Sequence, residues 1–218
     1  MGFNGLYLTP IFESPSDHKY DTTDYFKVDE EFGNNEILGE LVKEAHNRGI
    51  KVMLDAVFNH CGFFHPYWQD VIEKASKSKY FDCFYVLDEN KPIVYGEVKN
   101  GVPQEAPREE LNYYTFAYTQ SMPKWNTSNP IAREYLLNVA CYWIEKYNID
   151  GWRLDVSNEV SHDFWREFRK RVKAIKPDVF LLGENWDNSY PWLQGDQFDS
   201  VMNYEFLIPI WSFFRLNN

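Results

Sequence analysis

The stretch YNIDGWRLDVSNE, from Tyr147 to Glu159, decides the fold of this chain. Apolar residues recur at spacings of three and four across residues 131–146 before it, which predicts an amphipathic helix packed by one face. Asn129 and Pro130 precede that segment, as an N-cap and a first helical residue would. The period then breaks, and Ile149–Val156 predicts a short buried strand.

Arg153 and Asp155 stand two apart on this strand, so their side chains point to the same face. Two opposite charges on a buried strand cost free energy of folding unless they pair and hydrogen-bond. A structural ion pair and a functional site explain this pattern equally well when it is considered alone.

The composition bounds the class of protein. The chain has 218 residues, a formal net charge of −11, 44% hydrophobic and 18% aromatic residues, which suits one large or two small domains. The acidic charge argues against a nucleic-acid partner. No apolar run is long enough to span a membrane, and without a leader sequence we expect a cytoplasmic protein. The high aromatic content fits either sugar stacking or a rigid aromatic core.

Strands and helices alternate along the chain, which predicts parallel βα units. The predicted strands are Gly5–Phe12, Ile50–Val57, Ile149–Val156, Val179–Glu184 and Phe198–Asn203. The predicted helices are Glu36–Asn47, Ile131–Lys146 and Ser161–Ile175. A long polar loop covers Glu13–Glu31, and irregular sequence between Cys61 and Asn126 indicates an insertion. Two architectures remain open: a complete doubly wound sheet of five strands, or part of an eight-stranded βα barrel, which takes roughly 250 residues.

Polar and ionisable residues follow the predicted strands, where ligand sites of parallel α/β folds lie. They are Tyr20, Asp21, Asp55, Asn59, His60, Arg153, Asp155, Asn158, Glu159, Glu184 and Trp186. Each is weak evidence alone, but ionisable groups converging at one sheet end indicate a functional site. Two carboxylates, one beside an arginine, suit retaining glycoside hydrolysis. Arg153 would keep Asp155 ionised as the nucleophile, and Glu184 would be the general acid/base.

The motifs resemble a known family. DAVFNH (Asp55–His60), GWRLDVSNE (Gly151–Glu159) and GENW (Gly183–Trp186) resemble the first three conserved regions of the α-amylase family, glycoside hydrolase family 13. HKYDTTDYF (His18–Phe26) resembles its substrate-binding loop. MPKWN (Met122–Asn126) resembles the MPKLN motif of the neopullulanase, cyclomaltodextrinase and maltogenic amylase branch.

The resemblance implies a (β/α)8 TIM barrel of which strands two to six are present. Residues 1–60 would carry strands two and three, 61–126 a domain B inserted after the third strand, and 127–218 strands four to six. The family's fourth region, a His-Asp pair that supplies a third carboxylate, has no match after Glu184. Open barrel edges would invite a homodimer.

The resemblance also assigns roles. Asp155 would be the nucleophile, Glu184 the acid/base, and Arg153 the residue that orients the nucleophile. The substrate-binding residues would be Tyr20, Asp21, His60, Asp55, Asn158, Glu159 and Trp186. Asn59 matches an asparagine that binds structural calcium in many relatives, and no cofactor is otherwise required.

These roles imply a retaining α-glucan hydrolase. The parent enzyme would cleave α-1,4 bonds in cyclodextrins, pullulan, maltooligosaccharides or starch, and we expect the 218 residues alone to be inactive. Trp125 and Asn185 depart from the commoner residues of their motifs. The alternative is a non-catalytic α-glucan-binding or protein-interaction module that keeps the barrel.

Overall fold

The computed structural model describes residues 2–99, 102–104 and 106–216. Its strands are β1 (Gly5–Tyr7), β2 (Phe12–Glu13), β3 (Asp24–Val28), β4 (Lys51–Ala56), β5 (Val98–Lys99), β6 (Val102–Pro103), β7 (Gly151–Leu154), β8 (Phe180–Gly183) and β9 (Ser200–Val201). Its α-helices are α1 (Asn35–His46), α2 (Pro66–Lys74), α3 (Pro130–Tyr147), α4 (His162–Ile175) and α5 (Tyr204–Leu216).

The sheet order distinguishes between the two architectures. A five-stranded parallel sheet runs β1-β4-β7-β8-β9, so every strand lies beside the next one of that sheet in chain order. In a doubly wound sheet the spatial order of the strands reverses at a switch point, whereas a barrel adds each new strand beside the preceding one. The chain is therefore part of an α/β barrel, and the doubly wound alternative is wrong.

Helix α3 shows why the local sequence folds as it does. The Asn129 side chain accepts hydrogen bonds from the N–H groups of Ile131 and Ala132, and Pro130 occupies the first turn. The helix ends at Asn148, whose left-handed conformation (φ 55°) closes it. Its buried face packs mainly on α4 and also contacts α1 and β3, so the predicted helix and its cap are confirmed.

The first predicted strand is wrong in extent and burial. Only Gly5–Tyr7 pairs in the parallel sheet, and all three residues are exposed because β1 is an edge with one neighbour. Phe12 instead begins a hairpin with β3 inside the predicted polar loop. The ring of Phe12 is fully buried and stacks on Trp143 at 5.0 Å, which explains why the apolar run continues past the strand.

The insertion, residues 61–126, contributes no strand to the five-stranded sheet within its described part. It contains helix α2, which the sequence analysis did not predict. His65 caps α2 and Pro66 begins it. The helix was not predicted because its nine residues mix polar and apolar side chains and show little helical periodicity. The boundaries of the three segments stay a prediction.

The end of the chain also differs from expectation. The fifth strand covers Ser200–Val201 instead of Phe198–Asn203, and α5 follows it. Large apolar side chains of α5 are exposed, including Phe206 (66%) and Trp211 (73%). None of the helices described is long and apolar enough to cross a membrane.

Candidate active site

A cavity of about 300 Å³ lies at the carboxyl ends of β4, β7 and β8. The parallel register brings these strand ends together, with Asp55 of β4 opposite Arg153 of β7. The cavity is lined by Tyr20, His60, Phe116, Arg153, Asp155, Val156, Asn158, Glu159, Glu184 and Trp186. Most of the predicted site residues therefore meet in one place.

Arg153 is the centre of the site. Its Nη1 donates hydrogen bonds to both carboxylate oxygens of Asp55, at 3.2 and 3.0 Å, and to Oδ1 of Asp155 at 2.7 Å. Its Nη2 forms an ion pair with Oε2 of Glu184 at 2.7 Å. The predicted pairing with Asp155 is confirmed, and the structure adds that one guanidinium serves three carboxylates.

Three buried carboxylates around one cation cannot all ionise without cost. Burial raises the pKa of Asp55 to about 6, although Arg153 opposes the shift. Burial, followed by the charge of Asp55, also raises the pKa of Asp155 well above its ordinary value. Arg153 lowers the pKa of Asp155, but burial and the charge of Asp55 outweigh it, because the arginine is shared among three buried carboxylates.

Glu184 is held by the turn that follows β7. The backbone N–H of Val156 donates to its Oε2 at 3.0 Å, and the N–H of Ser157 donates to its carbonyl oxygen at 3.2 Å. The Ser157 hydroxyl donates to Oδ1 of Asn185 at 2.6 Å. Val156 adopts a left-handed conformation, φ 44° and ψ 42°. The carboxylate of Glu184 is thus fixed by the main-chain N–H of Val156 as well as by Arg153.

Aromatic rings form the walls of the cavity. The ring of His60 stacks on Phe116 with 4.9 Å between centroids, and its Nε2–H donates to the Tyr20 carbonyl oxygen at 3.1 Å. Burial lowers the pKa of His60 to about 3, so the ring is neutral. Trp186 stacks on Tyr204 at 4.2 Å. Flat apolar rings beside polar groups suit a sugar ligand.

Tyr20 belongs to the same wall. Its hydroxyl lies 3.4 Å from Oδ2 of Asp55, and burial, with that neighbouring charge, raises the pKa of Tyr20 to about 12. Tyr7, which the sequence analysis missed, also donates to Oδ2 of Asp55. Its only signal was its position at the end of β1, beside β4.

Three predicted residues do not line the cavity. Asp55 lies beneath it, fully buried behind Arg153. Asp21 accepts hydrogen bonds from the hydroxyls of Ser14, at 2.6 Å, and Ser16, inside its own turn. Asn59 is buried and contacts Lys124. A direct sugar contact by Asp21 or Asp55 does not follow from this geometry.

Phe116 and Tyr204 were also missed. Phe116 lies in the irregular insertion, and Tyr204 begins α5, a helix that the sequence analysis did not predict. Only the folded chain brings them to the strand ends.

The residues around Asn59 do not fit calcium. Its Oδ1 accepts a hydrogen bond from the ammonium of Lys124, whose positive charge stands where a metal would bind. Calcium takes six to eight oxygen ligands at 2.3–2.6 Å. Among the residues described, no group of three or more His, Cys, Asp or Glu could hold a metal.

Comparison with known proteins agrees with this geometry. The sequence profile described as "Alpha amylase, catalytic domain" matches residues 1–217. The chain belongs to the α-amylase family. The matched segment includes the strand ends that carry Asp155 and Glu184.

The relatives are much longer than this member of the α-amylase family. The chain is 55% identical over 204 residues to a maltogenic α-amylase of Bacillus acidopullulyticus, covering 94% of the chain and 32% of the relative. It is 54% identical over 204 residues to a cyclomaltodextrinase of Geobacillus thermopakistaniensis, with the same coverage. It is 49% identical over 214 residues to an intracellular maltogenic amylase of Bacillus subtilis, covering 98% of the chain and 34% of the relative.

Solved structures agree as well. A cyclomaltodextrinase structure superposes with a TM-score of 0.83 at 51% identity, over 94% of this chain and 33% of that one. The α-amylase family member described here therefore spans about a third of the length of the proteins it resembles.

Proposed function

We propose that this chain is the part of a retaining α-glucan hydrolase that carries the nucleophile and the acid/base. The observation that carries the proposal is the shared guanidinium: Arg153 contacts Asp155 and Glu184 at 2.7 Å each, at neighbouring strand ends in one cavity. A cation that bridges both carboxylates holds them close. Retaining enzymes need about 5–5.5 Å between them, and inverting enzymes about 6.5–9.5 Å.

The roles proposed for the two acids are those of the matching residues in the α-amylase family motifs. Asp155 attacks the anomeric carbon and forms a glycosyl-enzyme while Glu184 protonates the leaving glycosidic oxygen. Glu184 then accepts a proton from the water that hydrolyses the intermediate. Arg153 stabilises the ionised form of Asp155 at the moment of attack, and His60 and Tyr20 contact the sugar.

The proposed substrates are α-1,4-linked glucans: cyclodextrins, pullulan, maltooligosaccharides and starch. The names of the relatives, maltogenic amylase and cyclomaltodextrinase, support this class. The term "intracellular" in the Bacillus subtilis name supports a cytoplasmic location. We also propose that 61–126 acts as a domain B on the barrel segments 1–60 and 127–218.

The 218 residues alone are proposed to turn over glucans slowly or not at all. The relatives are about three times as long. The aspartates after Glu184 are Asp187, Asp196 and Asp199, and none of them follows a histidine as in the family's His-Asp pair. The open edges β1 and β9 are proposed to pair two copies of the chain. A monomer in size-exclusion chromatography contradicts that pairing.

A chimera tests the catalytic proposal. Residues 1–217 replace the matching segment of the Geobacillus thermopakistaniensis cyclomaltodextrinase, and hydrolysis of β-cyclodextrin, pullulan and starch is measured for the chimera and for the chain alone. We expect the chimera to be active and the chain to be nearly inactive.

Variants of the chimera complete this test. Asp155→Asn and Glu184→Gln should abolish turnover, whereas Asp196→Asn, which changes an exposed acid paired with Arg166, should not. A folded chimera that binds β-cyclodextrin without turning it over would favour the non-catalytic binding module instead.

A further inference from the structure

Lys124 connects the insertion to the strand ends of the barrel. Its backbone forms a bridge with His60, and the N–H of Trp125 donates to the carbonyl oxygen of Asn59 at 3.0 Å. The segment that carries Lys124 therefore lies directly against the residues that follow β4. Its side chain reaches from there toward the turn after β7.

The ammonium of Lys124 is surrounded by three oxygen atoms. It donates to Oδ1 of Asn59, to the carbonyl oxygen of Glu159 at 3.2 Å and to Oε2 of Glu159 at 3.1 Å. An ammonium has three protons, so each of them has an acceptor. The oxygens come from two elements of the barrel, and the cation comes from the insertion.

Burial makes this contact more than an ordinary surface pair. Asn59 is 1% exposed, and the side chain of Lys124 is 18% exposed. The Glu159 side chain is 43% exposed, so its share of the interaction is screened by solvent. Removing the lysine would leave the buried Oδ1 of Asn59 without the hydrogen bond it accepts from the ammonium, and buried acceptors without partners are costly.

We propose that the Lys124 ammonium is a built-in cation that takes the place of a structural metal between the insertion and the barrel. An oxygen-lined position joining two elements attracts a cation, and here a covalently attached positive charge already fills it. Lys124 thereby positions Glu159 and the segment Asn59–His60, which border the candidate site. This proposal does not depend on the proposed function.

Thermal unfolding of the full chain tests the proposal, in EDTA and in millimolar calcium. The melting temperature of the unmodified chain should be the same in both. Lys124→Met should lower it by roughly 3–6 °C in both conditions. In Lys124→Asp, a carboxylate replaces the ammonium among the same oxygens. In EDTA the melting temperature should therefore fall further than in Lys124→Met, and calcium should restore at least half of that fall.

Two controls separate this effect from the general loss of a lysine. Lys77→Met and Lys77→Asp change an exposed lysine of the same insertion and should respond to neither calcium nor EDTA. Chymotrypsin should cleave residues 61–126 faster in Lys124→Met than in Lys77→Met, because only the first loosens the insertion.

Three results would overturn the proposal. They are a calcium-dependent melting temperature in the unmodified chain, an unchanged melting temperature in Lys124→Met, and a folded Lys124→Asp chain that does not respond to calcium. If Lys124→Asp does not fold in either condition, the unmodified chain and Lys124→Met decide the outcome.

Discussion

The backbone N–H of Val156 donates a 3.0 Å hydrogen bond to Oε2 of Glu184, and Val156 makes it from a left-handed backbone conformation. A β-branched residue with positive φ is rare, because its Cβ crowds the backbone at a cost of roughly 1–2 kcal/mol. Strain of this kind persists where the surrounding structure fixes it and often marks functional sites. Here the strained turn fixes the carboxylate that we propose as the acid/base.

Comparing Val156→Gly with Val156→Ala tests the strain. Both variants lose the packing of a buried valine, but only glycine adopts positive φ without penalty. We expect the glycine variant to be more stable than the alanine variant by about 1 kcal/mol in urea unfolding. At ordinary backbone positions the order is reversed, with glycine less stable by about 0.5–1 kcal/mol. Equal or greater stability of the alanine variant would show that the turn is unstrained.

Asp155→Asn should stabilise the chain at neutral pH while removing the proposed nucleophile. The pKa of Asp155 is raised by burial and by Asp55, so the folded state resists its ionisation. An acid with a raised pKa lowers stability increasingly as pH rises above its unfolded value of about 3.9. The gain from Asn should therefore be present at pH 7, grow as the pH rises and vanish near pH 4.

Asp199→Asn is the matched control with the opposite sign. The carboxylate of Asp199 accepts from Arg169 and Lys173 at 2.8 Å each, and these contacts lower its pKa despite burial. Its stabilisation is present above pH 4 and is lost as the pH falls through the lowered pKa. Asp199→Asn should thus destabilise the chain at pH 7. Equal signs for the two substitutions in denaturant unfolding would contradict this account.

His65→Gln should reduce the acid sensitivity of the fold. Burial lowers the pKa of His65 to about 3, so the folded chain keeps the ring neutral while the unfolded chain takes up a proton below pH 6.5. Stability is fully present above pH 6.5 and falls as the pH drops, by about 2 kcal/mol at pH 5.

Glutamine can keep both hydrogen bonds of His65, accepting from the Tyr67 N–H and donating to the Tyr135 hydroxyl. The slope of the free energy of unfolding against pH gives the number of protons taken up on unfolding. Near pH 5, His65→Gln should take up about one proton fewer than the unmodified chain. A slope unaffected by His65→Gln would mean that the ring is charged in the folded state.

Local signals in the sequence predicted the barrel units well. Asn34, Asn129 and Ser161 cap their helices through side-chain hydrogen bonds, as their positions before apolar periodic segments indicate. The pairing of Arg153 with Asp155 follows from strand period alone, because both side chains must leave the strand on one face. These features depend on neighbours in the chain, which a sequence displays directly.

Features that depend on distant neighbours could not be predicted. The sharing of Arg153 among three carboxylates requires Asp55, on a strand almost a hundred residues earlier, to lie opposite it. The raised pKa of Asp155 depends on that same contact. Phe116 and Lys124 reach the site from the insertion, where the sequence shows no period. Asp21 belongs to the motif HKYDTTDYF, but its turn directs its carboxylate to the hydroxyls of Ser14 and Ser16.

Phe116→Ala should weaken binding of β-cyclodextrin. Phe116 stacks on the neutral ring of His60 and lines the cavity, and the next two residues, Ala117 and Tyr118, both have positive φ (49° and 62°). This constrained turn presents one ring to the site and the next to solvent, since Tyr118 is 66% exposed. Loss of an aromatic stacking surface should raise the dissociation constant about 5–10-fold.

Tyr118→Ala removes the exposed ring of the same turn and should change the constant little in isothermal titration calorimetry. Equal weakening by both substitutions would mean that the turn as a whole matters, and that the Phe116 ring does not contact the sugar.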